Sequence, residues 1–309
     1  MAVDRIQNAS DFVLDIQELQ KAEFAFAEAE HYVVYSFVSN SYVPKGLNLN
    51  TTRPFDPLAD ISVEVSHKED SAINFWSAAK GLRLVQTQYG DVTVQYQDTQ
   101  GLLSINGSEM PIISKFLRSF DIRPEKADRM TAALIDYIDT DTQAIFRGAE
   151  RQTYRLHNQP PPTNSPLRSY EELESVLRWP DVFQGNNREE FIRQTTLDPF
   201  SGSVKDNFAT IELLKRLGLS NRELLTNAKE DELQASYSSQ IPSNRARFTF
   251  YYQVGNENLI ERIIEIERDA NGVLRPFKIY RIAQFKIKKN DVDEFSDIES
   301  LDTCCLVPN

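Results

Sequence analysis

Cysteine is almost absent from this 309-residue chain: Cys304 and Cys305, adjacent and near the C-terminus, are the only two. Neighbouring cysteines do not readily bridge each other with ordinary disulfide geometry, so no disulfide framework staples the fold. Histidine is nearly as scarce. His31, His67 and His157 fall on a helical stretch, at a strand end and in a proline-rich loop, and none stands in a Cys-His or Ser-His arrangement. A Gly-x-Ser-x-Gly elbow, a metalloprotease helix, a phosphate-binding loop and a dinucleotide fingerprint are all missing. Without these constellations the chain reads as a non-enzymatic protein. No apolar run approaches the roughly 18 residues of a membrane span. The opening "MAVDRIQNAS" is neither a signal peptide nor a polar tail, and helical periodicity starts almost at once, so a natural N-terminal anchor is expected to be missing from the sequence as given.

Positive charge is also in deficit. Acidic residues outnumber basic ones by 46 to 34, for a formal charge of −12. Such a surface repels phosphate backbones and suits divalent cations better. With 40% hydrophobic residues the composition is that of an ordinary globular protein, long enough for two domains or for one domain with a large insertion.

What is present is ordered along the chain. From Asp4 to about Asn40 runs one amphipathic helix, with Ala22, Phe26, Ala29, Val33 and Phe37 recurring at helical spacing before Pro44 and Gly46 end it. Strand alternation follows in "ISVEVSH", "GLRLVQTQY" and "GDVTVQYQD", with Gly90-Asp91 read as the hairpin turn between the last two. From Met110 to about Gln234 helical patterns dominate: "PIISKFLRSF", "PEKADRMTAALIDYI", "SYEELESVLRWP", "NREEFIRQTT", "FATIELLKRLG" and "SNRELLTNAKEDELQ". Ser169 with Glu172, and Ser220 with Glu223, have capping-box spacing. After Ser236 the period returns to two in "RARFTFYYQV", "NLIERIIEIER" and "FKIYRIAQFKI", with turns at Gly255-Asn256 and Asn271-Gly272. The tail "NDVDEFSDIESLDT" is acidic and reads as solvated. Two strand groups flanking a helical block predict an α+β fold: a long N-terminal helix packed on an antiparallel sheet, with an all-α domain inserted between the strands. The boundaries are expected at 1–108, 109–235 and 236–309.

One acidic stretch stands out. "ALIDYIDTDTQAIFRGAE" places Asp136, Asp139 and Asp141 at a helix C-terminus, with Glu150 beyond, where the macrodipole is negative and a cation is favoured. Counted from Asp139, Asp141 is third, Gln143 fifth, Ile145 seventh and Glu150 twelfth, the ligand positions of an EF-hand loop. Ala144 replaces the glycine at position six, and Arg147 occupies position nine, so a calcium site of different shape is the fitting form. The alternative reading is that Asp139 and Asp141 turn the chain while Glu150 pairs with Arg147 or Arg151.

Several strings resemble the minor pseudopilin K family of the type II secretion system. "DIQELQKAEFAFAEAEHYVVYSF" resembles the periplasmic part of the family's long helix. "VQYQDTQGLLSIN" resembles its strand and acid-x-x-Gly…Asn entry to the helical domain. "LIDYIDTDTQAIFRGAERQTY" is similar to its Asp-aromatic-x-Asp-x-Asp…Gly-Ala-Glu…Tyr stretch, here Asp136, Tyr137, Asp139, Asp141, Gly148, Ala149, Glu150 and Tyr154. "PPPTNSPLRSYEELESVL" is similar to the segment that follows. The chain departs from the family at Tyr137, where Trp is more usual, and at Asp206 to Thr210, which marks a divergent member.

The resemblance implies a pilin-like helix-and-sheet fold and a place at the tip of a periplasmic pseudopilus. It implies assembly with minor pseudopilins I and J and with H, contact with secreted proteins, an inner-membrane anchor and bound calcium. Under this reading Asp136, Asp139, Asp141 and Glu150 are the candidate metal ligands. Phe26, Ala29, Val33 and Phe37 are the candidate partner-binding stripe. A module of another class, the helix-hairpin-helix binder of nucleic acid, is raised by "LLKRLGLS" and opposed by the acidic balance.

Overall fold

The computed structural model describes residues 2–43, 46–49, 75–180, 186–219, 241–255, 258–268 and 277–288, leaving aside the side chains of 2–15, 41, 43 and 186. Its elements in chain order are α1 (Ala2–Ser39), β1 (Ser41–Val43), β2 (Gly46–Asn48), β3 (Phe75–Ser77), β4 (Ala79–Thr87), β5 (Gly90–Asp98), β6 (Leu103–Ser104), α2 (Met110–Arg118), α3 (Pro124–Ile138), α4 (Arg151–Leu156), α5 (Asn186–Gln194), β7 (Thr195–Thr196), α6 (Ile211–Arg216), β8 (Arg245–Val254), β9 (Asn258–Arg268) and β10 (Phe277–Lys288). The "ISVEVSH" strand, the helix begun by Ser220, the Asn271-Gly272 turn, the acidic tail and both cysteines lie outside the described residues. No described helix is long and apolar enough to cross a membrane.

The chain divides into two units, residues 1–97 with 244–309, and residues 98–243. The helical unit therefore starts and ends outside the 109–235 expected from periodicity. The reason is local: the segment after Asp98 forms a 3-10 turn and then β6, which pairs in parallel with β7 of the same unit.

In the first unit a five-stranded sheet runs in the order β10-β9-β8-β5-β4. β5 and β8 are neighbours although the whole helical unit lies between them in sequence. α1 packs across β4, β8 and β9. The stripe read from the sequence is the seam of that packing. The Phe26 ring meets Phe250 and Tyr252 edge-on, and Phe37 meets Phe248, which stacks on Tyr96. Each large side chain taken out of water here contributes about 1.5–3 kcal/mol before entropy is counted.

Charges are buried beside the apolar rings. Arg268 lies over the Phe37 and Tyr42 rings and donates to the Asn40 carbonyl at 2.9 Å. Glu265 is fully buried and is held at 2.7 Å by both Arg245 and Arg247. Burial alone would raise its pKa; Arg247 and then Arg245 overcome that and keep the carboxyl below its ordinary value.

The turn between β4 and β5 is Gln88-Tyr89, with Thr87 opposite Gly90, rather than the expected Gly90-Asp91. Gly90 instead opens β5 at φ 132°, where a side chain would be strained and would lie 3.1 Å from the Tyr252 ring.

The second unit is a helical body around Trp179, Phe191, Phe116 and Tyr170, whose rings meet at Phe191. The Trp179 indole donates to the Met130 carbonyl at 2.9 Å, which fixes α3 to the later chain. "SYEELES" forms a 3-10 helix, Tyr170–Ser175, not an α-helix. Its expected capping box is not made, because Glu172 accepts from the Arg168 amide and the Ser169 side chain caps nothing.

Candidate metal centre

The sequence string from Asp98 to Asn106 forms the root of the helical unit. Asp98, which is 0% exposed, accepts hydrogen bonds from the Gln100 amide at 2.8 Å, from the Ser243 hydroxyl at 3.1 Å and from the Ser243 amide. The first and last residues of the unit are thus joined through one carboxylate. Burial pushes the Asp98 carboxyl up to about 6, against the pull of those donors and of Lys205. Gly101 is required by close approach: a β-carbon there would lie 2.1 Å from the Phe208 carbonyl oxygen. Asn106 ties three segments, donating to the Leu167 and Leu197 carbonyls and accepting from the Leu167 amide. Composition and periodicity assigned no role to Asp98; its partner lies 145 residues away.

The acidic stretch begins where α3 ends. The last helical hydrogen bond runs from the Asp139 amide to the Ile135 carbonyl at 2.9 Å, and Asp139 itself is extended at φ −74° and ψ 167°. The loop then folds back on the helix through Asp136. One oxygen of Asp136 accepts from the Ile145 amide at 3.1 Å and the other from the Ala149 amide at 2.6 Å. Gly148 lies so close that a β-carbon would sit 2.0 Å from Asp136 Oδ2. Asp136 anchors the loop and is not among the acids that converge. Its carboxylate is spent on backbone amides, and this shapes the loop that carries the other acids.

The remaining three acids converge. Asp139, Asp141 and Glu150 each bring a carboxylate oxygen to within 4.8 Å of the others. Glu150 caps α4, with Oε2 accepting from the Arg151 amide at 3.3 Å. Asp141 turns the chain by accepting from the Gln143 amide at 2.7 Å. From the proline-rich loop Asn164 reaches in, its amide bonding the Tyr137 carbonyl at 3.0 Å and its side chain bonding the Asp141 carbonyl. Tyr154 closes the base by accepting from the Leu177 amide at 3.2 Å.

Two oxygens stay unused. Asp139 Oδ1 and Glu150 Oε1 are shielded from solvent and have no hydrogen-bond partner among the described residues, and Glu150 as a whole is only 7% exposed. Burial raises the pKa of both acids, and the neighbouring carboxylates raise them further. Arg147 does not relieve this: its guanidinium is 3.4 Å from Asp128 on α3 and stacks over the Phe146 ring. Like charges held together with orphaned oxygens at a helix C-terminus form a site short of positive charge. All its donors are hard oxygens, with no histidine or cysteine, which fits calcium or magnesium rather than zinc.

The expected partner stripe is placed differently from its assigned role. Phe26, Ala29, Val33 and Phe37 are each 0% exposed and face the chain's own sheet, so they cannot touch another molecule. The outward face of α1 carries Phe24 and Tyr35 instead, 55% and 63% exposed. The helix-hairpin-helix reading finds only α6, six residues long, since the stretch after Leu219 lies outside the described residues.

Residues 84–183 match the family model for protein K of the type II secretion system. Over that stretch the chain is similar to protein K. The resemblance seen in the sequence holds over that stretch, which contains Asp98, Asn106, Asp136 and all three converging acids. A solved structure described as the GspK-GspI-GspJ complex from the enterotoxigenic Escherichia coli type 2 secretion system is similar at a TM-score of 0.49 and 13% identity, covering 91% of this chain and 99% of that one. No curated protein matches the chain.

Proposed function

We propose that this chain is a minor pseudopilin K that acts as a structural subunit, without catalysis, at the tip of a type II secretion pseudopilus. In this reading it initiates or caps assembly with minor pseudopilins I, J and H, supports the passage of secreted proteins, and lies in the periplasm of a Gram-negative bacterium on an inner-membrane anchor. The observation that carries it is the insertion of a whole helical unit between two strands that are neighbours in the sheet on which α1 lies. A large body added to a helix-and-sheet subunit ends a filament more readily than it continues one. The protein K match and the partners named for the similar complex support the same role.

Asp139, Asp141 and Glu150 complete the reading as a structural calcium site in that added unit. Calcium bound there would neutralise the three carboxylates and fix the α3–α4 loop. The subunit test is titration of the protein with the soluble regions of pseudopilins I and J, with Phe24→Glu and Tyr35→Glu as variants. Binding that both variants weaken is expected. An absence of binding at high concentration of both partners would remove the assembly role.

A further inference from the structure

Arg147 is the only basic residue between Asp139 and Glu150, and it is the cation that the loop could turn on its own acids. Its neighbour Gly148 lies against the Asp136 carboxylate, and Glu150 follows two residues after that glycine. Instead Arg147 is held in the left-handed region at φ 69°, its side chain directed to Asp128 at 3.4 Å. A non-glycine residue adopts that backbone only where surrounding contacts hold it. Asp128 is itself fixed, by Ser114 at 2.5 Å and by Arg118 at 2.7 Å.

We propose that Asp128 is a positioning residue for the metal centre: by tethering Arg147 it keeps the loop's own cation out of the Asp139, Asp141 and Glu150 cluster and so sets the affinity for a divalent ion. The inference rests on the calcium reading above. A side chain that could neutralise the site competes with the metal, and its removal to a separate acid leaves the cluster dependent on an outside ion. The competitor and its restraint lie on different elements, the loop and α3, so either can be changed alone.

The test is calorimetric titration of calcium chloride into four proteins: the unaltered chain, Asp128→Asn, Arg147→Gln and the double variant. At about 0.15 M salt, screening over roughly 8 Å limits the general effect of lost charge. Asp128→Asn is expected to weaken calcium binding roughly ten-fold, the lower end of what loss of an outer contact costs a metal site. Arg147→Gln alone is expected to bind as the unaltered chain does, and the double variant to regain that affinity. Asp128→Ser serves as a second release of the tether should the Asn variant fold poorly. Unchanged affinity in both Asp128 variants would overturn the tether, as would a double variant as weak as Asp128→Asn. No calcium binding by the unaltered chain would overturn the calcium reading itself, and the tether with it.

Discussion

Two acidic centres, one fully buried in the sheet and one partly buried in the helical unit, are built on opposite plans. In the sheet, Glu265 is enclosed with Arg245 and Arg247, and its charge is answered within the chain. In the helical unit, Asp139, Asp141 and Glu150 are brought together with no such answer, and the guanidinium of Arg147, the loop's own, is led away to Asp128. The first arrangement is a closed account of charge, finished at the moment of folding. The second is left open. A chain that can bury a carboxylate between two arginines has the means to close its other acid cluster in the same way, and this contrast supports the calcium site proposed at the open one.

Breaking the closed centre gives the largest expected effect. Glu265→Gln leaves two arginines buried without their counter-charge and is expected to cost about 3–5 kcal/mol, read from denaturant unfolding. Asp98 sharpens the comparison, because its buried charge is met mainly by neutral donors. Its pKa is raised to about 6, above the ordinary 3.8, so the folded chain binds the proton more tightly than the unfolded one. Stability from this group is full below pH 3.8 and is lost as pH rises through 6, by up to about 3 kcal/mol. Subtracting the pH profile of Asp98→Asn from that of the parent should isolate this falling component, and a flat difference between pH 4 and 7 would contradict it.

Filling the open centre comes next. Calcium at a hundred-fold excess over its Kd should stabilise the fold by about 2.7 kcal/mol, seen as a rise in Tm that a chelator reverses. Asp139→Ala with Glu150→Ala should abolish that rise. Persistence of the rise in this variant would place the ion elsewhere. The smallest effect belongs to exposed charge: Arg188→Ala, which breaks pairs to Glu171 and Glu174, should change unfolding by less than about 1 kcal/mol.

Much of the sheet was legible because period-two alternation survives wherever one face is more buried than the other, as along the second half of β10. The helical insert was legible from its periodicity, though not its limits, since a two-residue parallel pairing such as β6 with β7 leaves no pattern to read. The stripe from Phe26 to Phe37 was visible as a buried face, but an apolar stripe does not say whether its own sheet or another molecule covers it. The spacing of Asp139, Asp141 and Glu150 pointed to convergence because they share one short loop. Asp136 looked equivalent in sequence. Only its place one turn before the helix end turns it toward the amides of Ile145 and Ala149. The bonds between Asp98 and Ser243 had no local signature at all, because what unites those residues is topology.

That last contact also bears on the order in which the molecule assembles. β5 and β8 must meet across the whole insert, a search whose entropic cost grows with the length of loose chain between them. Once the helical unit has folded and joined its two ends through one carboxylate, the chain between the strands is no longer loose. The length of loose chain that must close when β5 and β8 meet is then short, and the entropic cost of that closure falls with it.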